Sequence, residues 1–350
     1  VPNTALSEPL PDLMFPLPDI LGVDPRRKIN ILDWAGTHTA ITLRVRVADG
    51  SGETFFVKTV RGDGPKVGGS KLGLREVRFY QFMEGFDAEL KRRLPQCIRY
   101  HLAADEESYY LVLEDLSDAY LPHSAVDFSD LAPWRCALRS VADFHRGFTG
   151  RLSADQIADL AEDEAGIAAY IETLTTAYQQ FKRDNRDHVG GEVLGLMAQS
   201  IPMIHHIELE KRSRIRQNKL TTVLNRDGHL RNFLYPKTPD RLAKIVDWQF
   251  WGVGIGAYDL RHLLGSALNP ALRGHQESLV RDYYQAYVAG GGIDYPWEVC
   301  WEDYRKGVLD NLFMPVWQYA GFGWGVDRWG ETLKAAVENY WALACDRLGQ

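Results

Sequence analysis

Two carboxylates and an amide in the second half of the chain, Asp227, Asn232 and Asp247, have the types and spacing to do chemistry. Asp227 stands five residues before Asn232 in the run Asn225-Arg226-Asp227-Gly228-His229-Leu230-Arg231-Asn232, and Asp247 follows in Val246-Asp247-Trp248-Gln249. Mg²⁺ takes hard oxygen ligands, usually one or two from the protein with water and phosphates completing the shell, so Asn232 and Asp247 suffice as a metal pair. Asp227, on a loop short enough to reach the same metal, is placed to accept the proton of an attacking hydroxyl. A hairpin is expected to bring the pair together, because Phe233, Leu234 and Tyr235 precede a proline-rich turn and Ala243 to Val246 follow it. Pairing Leu234 with Ile245 sets Asn232 opposite Asp247, and residues opposed in a ladder lie about 5 Å apart at Cα.

The aspartate-to-asparagine spacing is that of the kinase catalytic loop, which carries its base and a magnesium ligand five residues apart. Phosphoryl transfer also needs a cation for the phosphates and a group to hold it. Lys58, ending the strand Phe55-Phe56-Val57, fits the first role, and Glu76, early in the next helix, fits the second. Glu114 to Leu116 offer backbone groups to an adenine ring. The loop Trp34-Ala35-Gly36-Thr37-His38-Thr39 has a single glycine, and threonine hydroxyls such as Thr37 are expected to share in binding phosphates.

These residues must be carried by recognisable elements. Leu43, Val45 and Val47 alternate, as do Phe55 and Val57, around the turn Asp49-Gly50-Ser51-Gly52, which predicts a hairpin. Helical spacing of apolar residues from Leu72 to Leu94 predicts a helix packed on the sheet, and Tyr109 to Leu113 a further strand. Downstream, Leu138, Val141, Ala142, His145 and Phe148 form one helical stripe, and Ile167, Ile171, Leu174, Tyr178 and Phe181 another. His145 on such a stripe is expected to make a structural hydrogen bond. The fold class is α+β: a proline-rich extended arm over 1–28, a small β-rich lobe over 29–116, and a larger helical lobe over 117–350.

Taken in order, Phe56-Val57-Lys58, Arg75-Glu76, Leu113 to Leu116, Asp227 to Asn232 and Val246 to Gln249 resemble the aminoglycoside phosphotransferase and choline kinase superfamily over roughly residues 30–345. Gln249, with Gly256-Ala257-Tyr258-Asp259-Leu260 behind it, is most similar to the ecdysteroid-kinase-like branch. The resemblance implies a two-lobed protein-kinase-like fold, ATP and Mg²⁺ as cosubstrates, and phosphorylation of a small-molecule hydroxyl. It assigns Asp227 as catalytic base, Asn232 and Asp247 as metal ligands, Lys58 to the phosphates and Glu76 to orienting it. The family usually opens its catalytic loop with histidine and glycine, where this chain has Asn225 and Arg226. Asn225, with the glycine-poor loop Trp34 to Thr39, motivates an alternative reading, a catalytically inactive kinase-like protein that binds a nucleotide or small molecule.

Composition excludes other classes. The 350 residues are 45% hydrophobic and 25% charged, which suits a globular protein with a sizeable core. The net charge of −7 gives no global attraction to nucleic acid or an anionic membrane, and no stretch approaches the roughly 20 apolar residues of a membrane span. The basic group Lys211, Arg212, Arg214 and Arg216 lacks interleaved aromatics and reads as a solvated surface turn. Four widely spaced cysteines, with no apolar leader, suit reduced thiols in a cytoplasmic protein. His205, His206 and Glu210 lack a third zinc ligand, and Gly64 to Lys71 copies the glycine spacing of a P-loop with its lysine misplaced. Six of the ten tryptophans lie beyond residue 296, where Trp301 and Trp324 are the candidates for contact with the acceptor. The mild acidic excess there favours a neutral or weakly cationic acceptor: a glycosylated or polycyclic natural product, an antibiotic or a sugar-like molecule.

Overall fold

The computed structural model describes residues 12–36, 40–48, 52–60, 69–104, 108–161, 163–266 and 268–345. The expected turn Asp49 to Ser51, the P-loop-like run up to Gly68 and Thr37 lie outside them. The chain forms two compact units, each discontinuous in sequence: residues up to Val126 with Arg231–Trp251, and Asp127–Leu230 with Gly252 onward.

The first unit is built on a five-stranded antiparallel sheet of β1 (Ile29–Gly36), β2 (Ile41–Val47), β3 (Thr54–Thr59), β4 (Cys97–Leu102) and β5 (Tyr109–Glu114), in the order β1-β2-β3-β5-β4. The alternation read from the sequence sets the hairpin register: Leu43 faces Val57 and Val45 faces Phe55. Ile41, Leu43, Val45, Val57 and Val112 are almost wholly buried on one face. Ile20 joins them, so the segment expected as an extended arm contains a short helix, α1 (Leu17–Leu21), that docks on the sheet. The other face receives Leu74 and Val77 of α2 (Gly69–Glu84).

The single helix expected from Leu72 to Leu94 is two. α2 stops at Glu84, and the carboxylate of Asp87 caps a second short helix, α3 (Ala88–Lys91), by accepting the Leu90 N–H. Apolar spacing ran across the break because both helices pack inward, whereas Gly85 and Asp87 disfavour a continuous helix. The unit closes with a three-stranded sheet, β6-β8-β9, made of Tyr120–Pro122, Phe233–Pro236 and Lys244–Ile245.

In the second unit, α4 (Leu131–Phe148), α5 (Ala154–Leu160), α6 (Glu164–Asn185), α7 (Gly191–Arg216), α8 (Gln276–Val288), α9 (Trp297–Asn311), α10 (Met314–Phe322) and α11 (Val326–Cys345) surround a two-stranded ladder of β7 (Thr221–Leu224) and β10 (Gly252–Ile255). The two stripes read from the sequence face inward, with Leu138, Ala142, His145, Phe148, Leu174, Tyr178 and Phe181 buried. The basic group is not a solvated turn. It lies on α7, where Arg214 makes a two-pronged pair with Asp303 at 2.6 and 2.8 Å. No helix among the described residues is long and apolar enough to cross a membrane.

Candidate active-site residues

Lys58 occupies a central strand, between Thr42 of β2 and Leu111 of β5, and its side chain is buried. A buried ammonium needs carboxylates, and two meet it: Glu76 Oε2 at 2.5 Å and Asp247 Oδ1 at 3.0 Å. Burial alone would lower the Lys58 ammonium, but Glu76 and Asp247 outweigh it and hold it above its usual value. Glu76 is pushed up, by burial first and also by the Asp247 carboxylate, against the pull of Lys58. Two carboxylates thus share one ammonium, leaving one net negative charge when all three are ionised.

Glu76 has a second task. Its Oε1 accepts the backbone N–H of Trp248 at 3.3 Å. Trp248 is fully buried and stacks on Phe79 of α2, rings 4.1 Å apart and nearly parallel. Further on, Arg75 donates to the Trp251 carbonyl while the Trp251 indole donates to the Arg75 carbonyl, both at 2.8 Å. The segment behind Asp247 is therefore tied to α2, the helix that carries Glu76.

The hairpin register differs from expectation by one residue. Phe233 faces Ile245 and Leu234 faces Lys244, which sets Asn232 against Val246. Burial parity is the reason: Phe233, Tyr235 and Ile245 are buried, and directly opposed residues share a face. The Asn232 carbonyl accepts the Val246 N–H at 2.9 Å, and the ladder ends there because Asp247 adopts a left-handed backbone, φ 60°. Aspartate tolerates that conformation better than most residues. The turn leaves the Asp247 side chain 37% exposed, while Asn232 is buried. Asn232 and Asp247 supply hard oxygens beside a cluster of net negative charge, a donor set that suits Mg²⁺.

The other nucleotide candidates have assigned contacts. The Glu114 carboxylate accepts the Gln96 N–H at 2.8 Å and lies 3.6 Å from Lys244 Nζ. The Leu116 carbonyl closes a turn onto the N–H groups of Ala119 and Tyr120. Asp115 between them accepts from Arg44 Nε at 2.6 Å, tying β2 to the end of β5.

In the second unit, the loop holding Asp227 is anchored by a residue that the sequence reading quoted without a role. The buried Asp259 carboxylate accepts the backbone N–H of Asn225 at 2.9 Å on one oxygen and that of Arg226 at 2.7 Å on the other. His145 Nε2 stands 3.5 Å from the same carboxylate, and its Nδ1 is 3.0 Å from the Tyr283 hydroxyl. Burial would raise Asp259, but His145 and the two N–H donors hold it below the ordinary carboxylate range. Gly256 makes room for this: a Cβ there would lie 2.3 Å from the Tyr283 oxygen and 2.7 Å from His145 Nδ1. The signal available in sequence was the pairing of His145, on an apolar stripe, with the acid of Gly256-Ala257-Tyr258-Asp259.

Asn225 and Arg226 preserve a defined loop. The Asn225 side-chain oxygen accepts the Asp227 N–H at 3.1 Å. Arg226 has φ 63°, the left-handed region that favours the glycine of the family pattern, and a non-glycine residue there costs about 1 kcal/mol. Its guanidinium lies over Gly252, where a Cβ would come within 2.5 Å of it, and donates to the Val253 carbonyl at 3.0 Å. Asp227 Oδ2 is 3.6 Å from His229 Nε2. A cavity of about 540 Å³ opens beside this loop, walled by Arg226, Asp259, Tyr258 and residues of α6 and α7, all within the second unit. Neither tryptophan candidate lines it. Trp301 is stacked between Trp297 and Tyr304, and Trp324 sits beside Phe322 with Arg328 over its ring.

Comparison with known proteins places this arrangement. The model of the ecdysteroid kinase-like family matches residues 39–289. No curated protein matches the sequence significantly. Among solved structures, an aminoglycoside phosphotransferase from Alicyclobacillus acidocaldarius aligns at 13% identity over 99% of this chain and 98% of that one, TM-score 0.56. A GDP complex of aminoglycoside 2'-phosphotransferase-IIIa aligns at 13% identity over 89% and 92%, TM-score 0.52. A microcompartment-associated aminopropanol kinase aligns at 13% identity over 91% of both chains, TM-score 0.51. At these identities the likeness shows a shared kinase-like phosphotransferase fold.

Proposed function

The chain belongs to the ecdysteroid kinase-like family, and on that premise we propose that it transfers the γ-phosphoryl group of ATP to a hydroxyl of a small molecule, with Mg²⁺ as cosubstrate. The observation that carries this reading is the cluster of Lys58, Glu76 and Asp247, in which an ammonium on a central strand is held by a helix glutamate beside a partly exposed carboxylate. That is the apparatus phosphoryl transfer needs for placing phosphates and a divalent cation. A solved neighbour bound to GDP supports nucleotide use.

In the proposed reaction Asp227 accepts the acceptor's hydroxyl proton as its oxygen forms a bond to the γ-phosphorus. The bond from that phosphorus to the β–γ bridging oxygen breaks, and ADP leaves with the electron pair. Lys58 binds phosphate oxygens, and Glu76 keeps it aimed and charged. Asn232 and Asp247 would hold Mg²⁺, which offsets the negative charge of the phosphates when bound. Asp259 and His145 hold the loop that presents Asp227. Backbone groups at Glu114 to Leu116 are assigned to the base.

The alternative of an inactive binding protein rests on the departure at Asn225 and Arg226 and on the glycine-poor loop Trp34 to Thr39. The hydrogen bonds of Asn225 and Arg226 to Asp227 and Val253 supply an ordered loop, which supports the active reading. Cys97, Cys136 and Cys300 form no disulfide among the described residues, which suits a reducing cytoplasm. The test is ATP consumption against a panel of hydroxylated metabolites and antibiotics, with mass spectrometry for a product one phosphate heavier. No turnover on any acceptor, with MgATP still bound, would return the protein to the binding class.

A further inference from the structure

The cavity beside the Asp227 loop has a lining at odds with the acidic balance of the chain. Its wall holds four cationic side chains, Lys211, Arg212, Arg226 and Arg261, against three carboxylates, Glu208, Asp259 and Asp310. One of the three, Asp259, is taken up by the N–H groups of Asn225 and Arg226. Arg261 pairs with Asp310 at 2.9 Å, and Lys211 pairs with Glu208 and lies over the ring of Tyr258. Arg212 turns one nitrogen to Glu164, which is not part of the wall, while its Nε is buried without a hydrogen-bond partner among the described residues. The Tyr258 hydroxyl is buried and likewise without one. Both unused groups can donate, and a guanidinium Nε–H can only donate. Buried donors left unmatched are disfavoured, and although both atoms are closed off from the cavity as it stands, a small side-chain rotation toward an occupant rich in oxygen acceptors would satisfy them. The remaining wall is mostly apolar, with Ile167, Ile215 and Ile255 beside Tyr170 and Thr173, and the volume falls within the range of small-molecule sites.

Arg226 gives this lining a direction. The chain holds a long cationic side chain in left-handed backbone, where glycine would be unstrained, and Gly252 leaves room for its guanidinium at the wall. Strain maintained at one residue next to the candidate base points to a use for that side chain.

We propose that this cavity receives the acceptor, and that it selects a hydroxylated molecule with an apolar body and one carboxylate or comparable oxyanion, recognised by Arg226 with Arg212 and Tyr258. As the acceptor pocket it rests on the phosphotransferase reading. It reverses the neutral or weakly cationic acceptor expected from regional charge, because recognition depends on the few groups at the wall, and charges beyond about 10 Å are screened.

The test uses three matched probes on the full chain without nucleotide: 4-nitrophenyl β-glucuronide, the β-glucoside and the β-glucosaminide. They share an aromatic body and a sugar ring; relative to the glucoside, the glucuronide has a carboxylate in place of the hydroxymethyl, and the glucosaminide an amine in place of the 2-hydroxyl. By calorimetry the glucuronide should bind about tenfold more tightly than the glucoside, the scale of one charged hydrogen bond. Arg226→Gly should bring the two close to equal with the melting temperature unchanged or raised, which separates lost recognition from lost folding. Equal binding, preference for the glucosaminide, a preference surviving Arg226→Gly, or no saturable binding of any probe would each overturn the proposal. Phosphoryl transfer is read separately. Selective binding of the glucuronide without transfer to any acceptor keeps the pocket's selectivity and removes the phosphotransferase reading. Efficient transfer to the glucosaminide in preference to the glucuronide keeps the enzyme and removes the selectivity.

Discussion

The groups around Lys58 and those around Asp259 are both buried charge clusters, yet they are arranged for different ends. Around Lys58, three ionisable side chains from a strand, a helix and a loop face one another, and one of them, Asp247, keeps 37% of its side chain exposed. Around Asp259 the carboxylate is wholly committed, both oxygens to backbone N–H groups of the Asp227 loop and its remaining contact to His145. The first cluster keeps charge available to a ligand, and the second uses charge to hold backbone. On the proposed function, the first group meets substrates and the second positions the residues that do, although both are acids and bases in kinase-like order.

The largest effect should follow from Asp227→Asn. General-base assistance commonly contributes about 10²- to 10⁴-fold, so kcat should fall by that much with melting temperature and ATP affinity nearly unchanged. Retention of more than half of the wild-type kcat would show that Asp227 is not the base.

Exchanging damage between the clusters should give opposite outcomes. Asp247→Ala should remove Mg²⁺-dependent ATP binding in calorimetry with little change in stability, because Lys58 keeps Glu76 and the cluster loses its excess negative charge. Asn232→Ala should weaken the same binding less, an amide oxygen being the weaker ligand for a hard cation. Asp259→Ala should destabilise by about 3 kcal/mol in urea unfolding, because two buried N–H groups and an imidazole lose their acceptor. If Asp247→Ala were as destabilising as Asp259→Ala, the two regions would no longer differ in kind.

Acid should distinguish the buried groups of the helical unit. Burial, and then the neighbouring Arg261, push His262 down to about 3. Its folded value lies below the ordinary one near 6.5, so its contribution is full above about pH 6.5 and is lost as pH falls toward 3. The expected slope is at most about 1.4 kcal/mol per pH unit. Asp259, also held low, contributes above its ordinary value near 3.8 and loses that contribution only at lower pH. Between pH 4.5 and 6.5 His123, also held low, and Glu76, held high, contribute to urea unfolding as well, so the difference between wild type and His262→Asn isolates the histidine, and the variant should show the shallower slope. An unchanged slope would mean that His262 is not held neutral.

The smallest effect expected is a gain. Arg226→Gly should stabilise by about 1 kcal/mol in urea unfolding, since it relieves a left-handed backbone at a residue with a Cβ. A loss of similar size would mean that the guanidinium's contact with Val253 outweighs the strain.

Much of the fold was legible because its elements are repetitive. Alternation from Leu43 to Val57 and the stripes of α4 and α6 are one-dimensional patterns, and burial of one face reproduces them. The misses fall where pattern and packing diverge. Helical spacing crossed the end of α2 because α3 also turns apolar residues inward, and Lys211 to Arg216 lie on a helix whose partners come from distant segments, such as Asp303 for Arg214. The hairpin register slipped by one because Phe233, Tyr235 and Ile245 share the buried face, and the positive φ of Asp247 then ends the ladder, which no local composition announces.

By itself the sequence determined which chemical types are present and in what order: a strand lysine, a helix glutamate, and an aspartate five residues before an asparagine. Covalent order is sufficient for that, since side-chain types and their spacing do not depend on folding. Only the tertiary structure decided that Asp259 anchors the Asp227 loop from 32 residues beyond it, that Asp247 joins Lys58 and Glu76, and that Arg226 occupies left-handed backbone at a cavity wall. Each of those facts is a contact or a dihedral set by competition among distant segments for the same buried space. Such competition is resolved when the chain folds, and no stretch of sequence contains its result.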